Sequence, residues 1–155
     1  MLEIINQTKA RLPRQKLETI ASLFLEAYQK PDYLVTLVIS GDRKIRAWNR
    51  EHRGQDKVTD VLSFRHEEYM GNILGEIIIN RQELERLAKY QELFVELKLI
   101  LPPRRQPEFL FYFLFVHGLL HLVGYNDDSE EERQEMMRLG KRFMKKIASC
   151  GIIRL

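Results

Sequence analysis

Apolar residues recur along this chain with two different periods, and the points where the period changes divide it into strands and helices. Leu2 to Asn6 alternates weakly and reads as a short strand. Beyond Pro13, the residues Leu17, Ile20, Ala21, Phe24, Leu25 and Tyr28 recur at three and four, which predicts an amphipathic helix with proline near its first turn. Tyr33 to Ser40 is rich in Val, Leu, Ile and Thr and is bounded by Pro31-Asp32 and Gly41-Asp42, the pattern of a strand. Ile45 and Trp48 suggest a short helix, and Asp60–Arg65 and Leu74–Asn80 follow as two more strands, connected through His66–Gly71. The period then lengthens. Leu84, Leu87, Ala88, Phe94 and Val95 predict a helix over 81–100, with Gln91 interrupting its stripe. Pro102, Pro103 and Pro107 stop it and leave Arg104 and Arg105 on an exposed connection.

Glu108 to Leu122 has no polar face. It is shorter than the roughly 20 residues a bilayer span requires and holds two histidines, so a buried central helix is the expectation. Ser129 with Glu132 forms a capping box for a last helix whose buried face is Met136, Gly140, Phe143, Met144 and Ile147. Four strands and about five helices predict an α+β fold, a mixed sheet covered by the central helix that holds the two histidines, in one domain over residues 1–155. The 45% hydrophobic and 30% charged content excludes a disordered chain. Cys150, the single cysteine, excludes an intrachain disulfide and fits a reducing compartment. The opening MLEIINQTK has no positive segment before an apolar one, so a cytoplasmic protein without membrane attachment is expected.

The central helix carries the chemistry. His117 and His121 lie four apart and share a helix face, so two imidazoles can meet one ion. Gly124 can take the positive φ that turns the chain back and brings Asp127 round as a third ligand. Three ligands leave coordination positions open, which on zinc or a similar ion points to hydrolysis. Asp127 and Asp128 also precede Ser129, Glu130, Glu131 and Glu132, where an acidic helix start accounts for them equally. A zinc peptidase of the HExxH type needs a glutamate after the first histidine, and Gly118 stands there.

Net charge adds little at +3, with a sequence pI near 9.0. Its distribution says more: Arg43, Lys44, Arg46, Arg50, Arg53 and Lys57 precede the third strand, while Arg138, Lys141, Arg142, Lys145 and Lys146 load the last helix. The second group reads as a solvated helix face near a favourable C-terminal dipole.

The segment HGLLHLVGYND, residues 117–127, resembles the HGxLHLxGYDH signature of the YbeY family, bacterial rRNA maturation factors with single-strand-specific endoribonuclease activity. Asn49 to Phe64 resembles that family's N-x-x-x-R-x-x-D-x-x-T-D-V-L-S-F block, and Leu74 to Ile78 its L-G-D-I-x strand. Asp127 falls where the family has its third histidine, Asn126 where it has aspartate, and Arg65 where proline usually follows S-F. The resemblance implies one divalent transition-metal ion, zinc first among the candidates, held by His117, His121 and Asp127. It implies Arg53 as the catalytic, phosphate-binding arginine, with Lys57 as a second substrate contact. For the general base, His52, His66 and Glu76 are the candidates. Implied partners are single-stranded RNA, ribosomal RNA and the small ribosomal subunit, with no DNA, and the implied role is maturation of the 16S rRNA 3′ end and ribosome quality control. A non-cleaving assembly factor with a structural metal is the alternative, and a metallopeptidase a weaker one.

Overall fold

The computed structural model describes residues 1–67 and 71–154, so the connection expected over His66–Gly71 lies partly outside the described residues. Strands β1 (Leu2–Asn6), β2 (Leu34–Ser40), β3 (Val61–Arg65) and β4 (Ile73–Asn80) form one sheet in the order β1-β2-β4-β3. β1 and β4 run parallel to β2, and β3 runs antiparallel to β4, which makes the sheet mixed and leaves β1 and β3 at its edges.

Alternation along the strands sorts their side chains onto two unequal faces. Leu37, Ile39, Ile77 and Ile79 enter the main core with α1 (Arg14–Ala27), α4 (Gln106–Leu122) and α5 (Glu130–Ser149). Val38, Leu62 and Ile78 form a smaller cluster with Ile45 of α2 (Asp42–Arg53) on the opposite face. The α+β architecture, the mixed four-stranded sheet, the central helix and the buried face of α5 are as the periodicity predicts. Both reciprocal hydrogen bonds of the Ser129–Glu132 capping box form.

Residues 81–100 depart from expectation. Instead of one helix, the chain makes 3₁₀ turns at Arg81–Glu85 and Leu87–Tyr90 and then a short helix, α3 (Gln91–Glu96). Leu84, Leu87 and Tyr90 are three apart, the 3₁₀ period, and Glu83 is drawn inside by Arg86, Lys89 and the Tyr90 hydroxyl. Val95, expected on the buried stripe, is exposed, and the positive φ of 54° at Lys98 ends the segment. Pro107 does not act as a stop: α4 starts at Gln106, two residues earlier than expected, with this proline in its first turn, where a missing N–H costs nothing.

Candidate active site

Between Phe109 and Leu122, every residue of α4 is buried except His117 and His121. The helix reaches this depth because Gly118 presses on β4. A Cβ at that position would stand 2.7 Å from Ile77 Cγ2. Gly124, at φ +106°, then turns the chain, and the Tyr125 N–H reaches back to the Leu120 carbonyl at 3.1 Å. The same turn brings the Tyr125 carbonyl 2.9 Å from His121 Nδ1. That contact fixes the proton on Nδ1 and leaves the Nε2 lone pair facing His117.

His117 Nε2 and His121 Nε2 lie 3.1 Å apart, and Asp127 Oδ2 stands 3.4 Å from the first and 3.6 Å from the second. A tetrahedral ion with bonds of about 2.0–2.1 Å separates its ligand atoms by roughly 3.3 Å. The triangle therefore has the dimensions of one face of such a site, and the donor set suits zinc or a related transition metal. Burial, and next the neighbouring His117, push the His121 imidazole below the usual histidine range, which keeps it in the neutral, ligating form near pH 7. A hydrogen bond with His117 holds the Asp127 carboxyl below its usual value despite partial burial, with the positive field of Arg53 contributing.

Beside this triangle opens a pocket of about 290 Å³ lined by Arg53, Ser63, Arg65, His121, Gly124 and Asn126. α2 delivers Arg53 on its last turn. Gly54 at φ +67° closes that helix, its N–H bonding to Arg50 O and the Gln55 N–H to Asn49 O, and the turn leaves Arg53 at the edge of β3. Arg53 Nη2 donates to the Ser63 carbonyl at 3.3 Å, and the guanidinium lies 6.0 Å from the Phe64 ring centroid. Strand parity explains this contact: His66 N–H bonds to Leu74 O and Asn80 N–H to Asp60 O, so the even residues of β3 pair with β4 and the odd carbonyls point outward. The buried Ser63 hydroxyl has no hydrogen-bond partner among the described residues.

The Endoribonuclease YbeY family model matches residues 3–148. This chain belongs to the YbeY family. An endoribonuclease YbeY of Heliobacterium modesticaldum is 35% identical over 144 residues, spanning 83% of this chain and 80% of that protein. One from Helicobacter pylori is 37% identical over 145 residues, spanning 92% and 91%. One from Chlorobium phaeobacteroides is 30% identical over 148 residues, spanning 96% and 98%. In fold the chain is similar to the solution structure of TM1509 from Thermotoga maritima, with a TM-score of 0.57 at 24% identity, over 97% of this chain and 93% of that one.

Not every candidate residue reaches the YbeY pocket. His117, His121 and Asp127 converge on one point and Arg53 lines the pocket beside them, while the exposed Lys57 does not line it; its carbonyl accepts from Asn49 Nδ2 at 2.9 Å and its N–H donates to the Gln55 carbonyl at 2.9 Å. His52 packs its ring on Phe64, on the other side of β3. Glu76 shares strand parity with Ile78 and so lies on the α2 face of the sheet. His66 is outside the pocket lining, with its buried Nδ1 unpartnered among the described residues. Ser63, Arg65 and Asn126 complete the lining, and the sequence reading gave none of them a role. The parity of β3 was the available signal, since Val61, Ser63 and Arg65 alternate with the buried Leu62.

Proposed function

We propose that this protein is a metal-dependent endoribonuclease that hydrolyses phosphodiester bonds of single-stranded RNA. The observation that carries the reading is the convergence of two imidazoles and a carboxylate, at tetrahedral spacing, beside a pocket lined by an arginine. A bound divalent metal, zinc by donor type, supplies Lewis acidity and an activated water. His117, His121 and Asp127 hold it, and the Tyr125 carbonyl keeps His121 in the ligating tautomer. Arg53, anchored by one N–H on Ser63 O, directs its remaining donors to the phosphate and offsets charge that builds on phosphorus. The candidate bases all lie outside the pocket lining, so proton removal falls to solvent rather than to His52, His66 or Glu76.

The wider role in this reading is maturation of ribosomal RNA, at the 16S 3′ end, and ribosome quality control on the small subunit in the cytoplasm. Family membership supports it, and so does the basic exposed face of α2, where Arg43, Arg46 and Arg50 lead toward Arg53. Among the described residues no helix is long and apolar enough to cross a membrane. The test is elemental analysis of the purified protein together with cleavage of single-stranded RNA, with and without chelator. One metal per chain and chelator-sensitive cleavage are expected. Metal without any cleavage, on ribosomal substrates included, would favour a non-cleaving assembly factor.

A further inference from the structure

Arg65 enters the pocket from β3, two residues beyond Ser63, with its guanidinium laid over the turn after α4. A Cβ on Gly124 would come within 3.2 Å of Arg65 Nη1, so the glycine at that turn leaves the room this side chain occupies. Among the described residues, no carboxylate pairs with either Arg53 or Arg65, and Arg65 makes no side-chain hydrogen bond. The fixed charges at the site are few: Asp127 brings one carboxylate, and Arg53 and Arg65 bring two guanidiniums to the adjoining pocket, so Arg65 is the cation left over once Arg53 is set against Asp127. A site whose third ligand is a carboxylate gives up one unit of attraction for a phosphodiester, and a second arginine restores it.

We propose that Arg65 is a second phosphate-binding residue of this pocket, acting with Arg53 on the backbone of a single-stranded RNA and compensating the charge of Asp127. The proposal rests on the nuclease reading above. The two guanidiniums take different supports, Arg53 on an edge carbonyl and Arg65 on the Gly124 turn, and they flank the pocket opening beside His121. An RNA strand lying across that opening meets a planar donor fork on either side of its reacting phosphate.

The test is binding of a labelled 2′-O-methyl single-stranded oligoribonucleotide to the metal-loaded protein, followed by fluorescence anisotropy across a salt series. Parent, Arg65→Ala, Arg65→Lys and Arg53→Ala are compared, with metal content and circular dichroism recorded on each. Arg65→Ala should bind roughly tenfold more weakly at low salt. Its slope of log affinity against log salt should flatten by about 0.7, the signature of one lost phosphate contact. Arg65→Lys should recover the slope. Parent-like affinity and slope in Arg65→Ala, beside a clear loss in Arg53→Ala, overturns the proposal and leaves the nuclease reading standing. Metal loss or disordered circular dichroism in both Arg65 variants also overturns it, assigning the side chain to packing over Gly124. If the parent itself does not bind the oligonucleotide, the nuclease reading fails and this proposal with it.

Discussion

His117 and His121 are held differently. His121 is fixed through Nδ1 to the Tyr125 carbonyl, whereas the His117 ring lies alongside Phe113 with centroids 6.4 Å apart. His121→Ala should therefore remove both a proposed ligand and a side-chain tie between α4 and its turn, and metal content by elemental analysis should fall to background while the far-ultraviolet spectrum stays helical. Retention of a full equivalent of metal in that variant would sink the assigned site. Arg53→Ala should cost roughly 10²–10³ in RNA cleavage, the range for removing one donor that stabilises developing charge. Its metal content and unfolding temperature should stay near the parent, because an exposed arginine adds little to stability. Equal cleavage by the two proteins would reduce Arg53 to a surface charge.

Elements fix where these residues meet, and Gly118 makes the claim measurable. Alanine is favoured over glycine in a helix by about 1 kcal/mol, but its Cβ would sit 2.7 Å from an Ile77 side chain that is itself fully buried. Overpacking costs typically 1–3 kcal/mol, so it should outweigh propensity, and Gly118→Ala should lower the urea midpoint. A raised midpoint would mean α4 is free to move off β4. The cluster of His117, His121 and Asp127 was legible in the sequence because an i, i+4 pair followed by a glycine turn is local geometry. Ser63 and Arg65 were not, because which face of β3 meets α4 depends on its register with β4. The failed helix over 81–100 has the same origin: Glu83 is buried against Arg86, Lys89 and Tyr90, and Arg86 also bonds Asp42, a network that apolar periodicity does not record.

Across the whole molecule, that network sits at the Asn80 end of β4, while the pocket sits near its Gly75 end, roughly 17 Å along the strand. Burial alone would raise the Glu83 carboxyl, but hydrogen bonds from Lys89, Arg86 and Tyr90 outweigh it and hold the group below its ordinary 4.5. Hydrogen bonding to Arg86 likewise lowers Asp42. A depressed carboxyl contributes stability that is complete above its unfolded value and lost as pH falls through the folded one. The protein should thus lose stability progressively below about pH 4.5. Glu83→Gln should be less stable at neutral pH by on the order of 2–3 kcal/mol and show a flatter acid limb in urea titrations. An acid limb as steep as the parent's would mean the network does not govern acid unfolding.

β3 ends the sheet with its odd carbonyls facing solvent, and Arg53 occupies the one at Ser63. An unpaired strand of this kind is a template on which another copy can add a strand of its own. The arginine proposed to serve the phosphate is thereby also a guard against self-association, since a neighbouring strand must displace it to bond there. Concentrated Arg53→Ala should accordingly form dimers or larger species by light scattering where the parent stays dispersed.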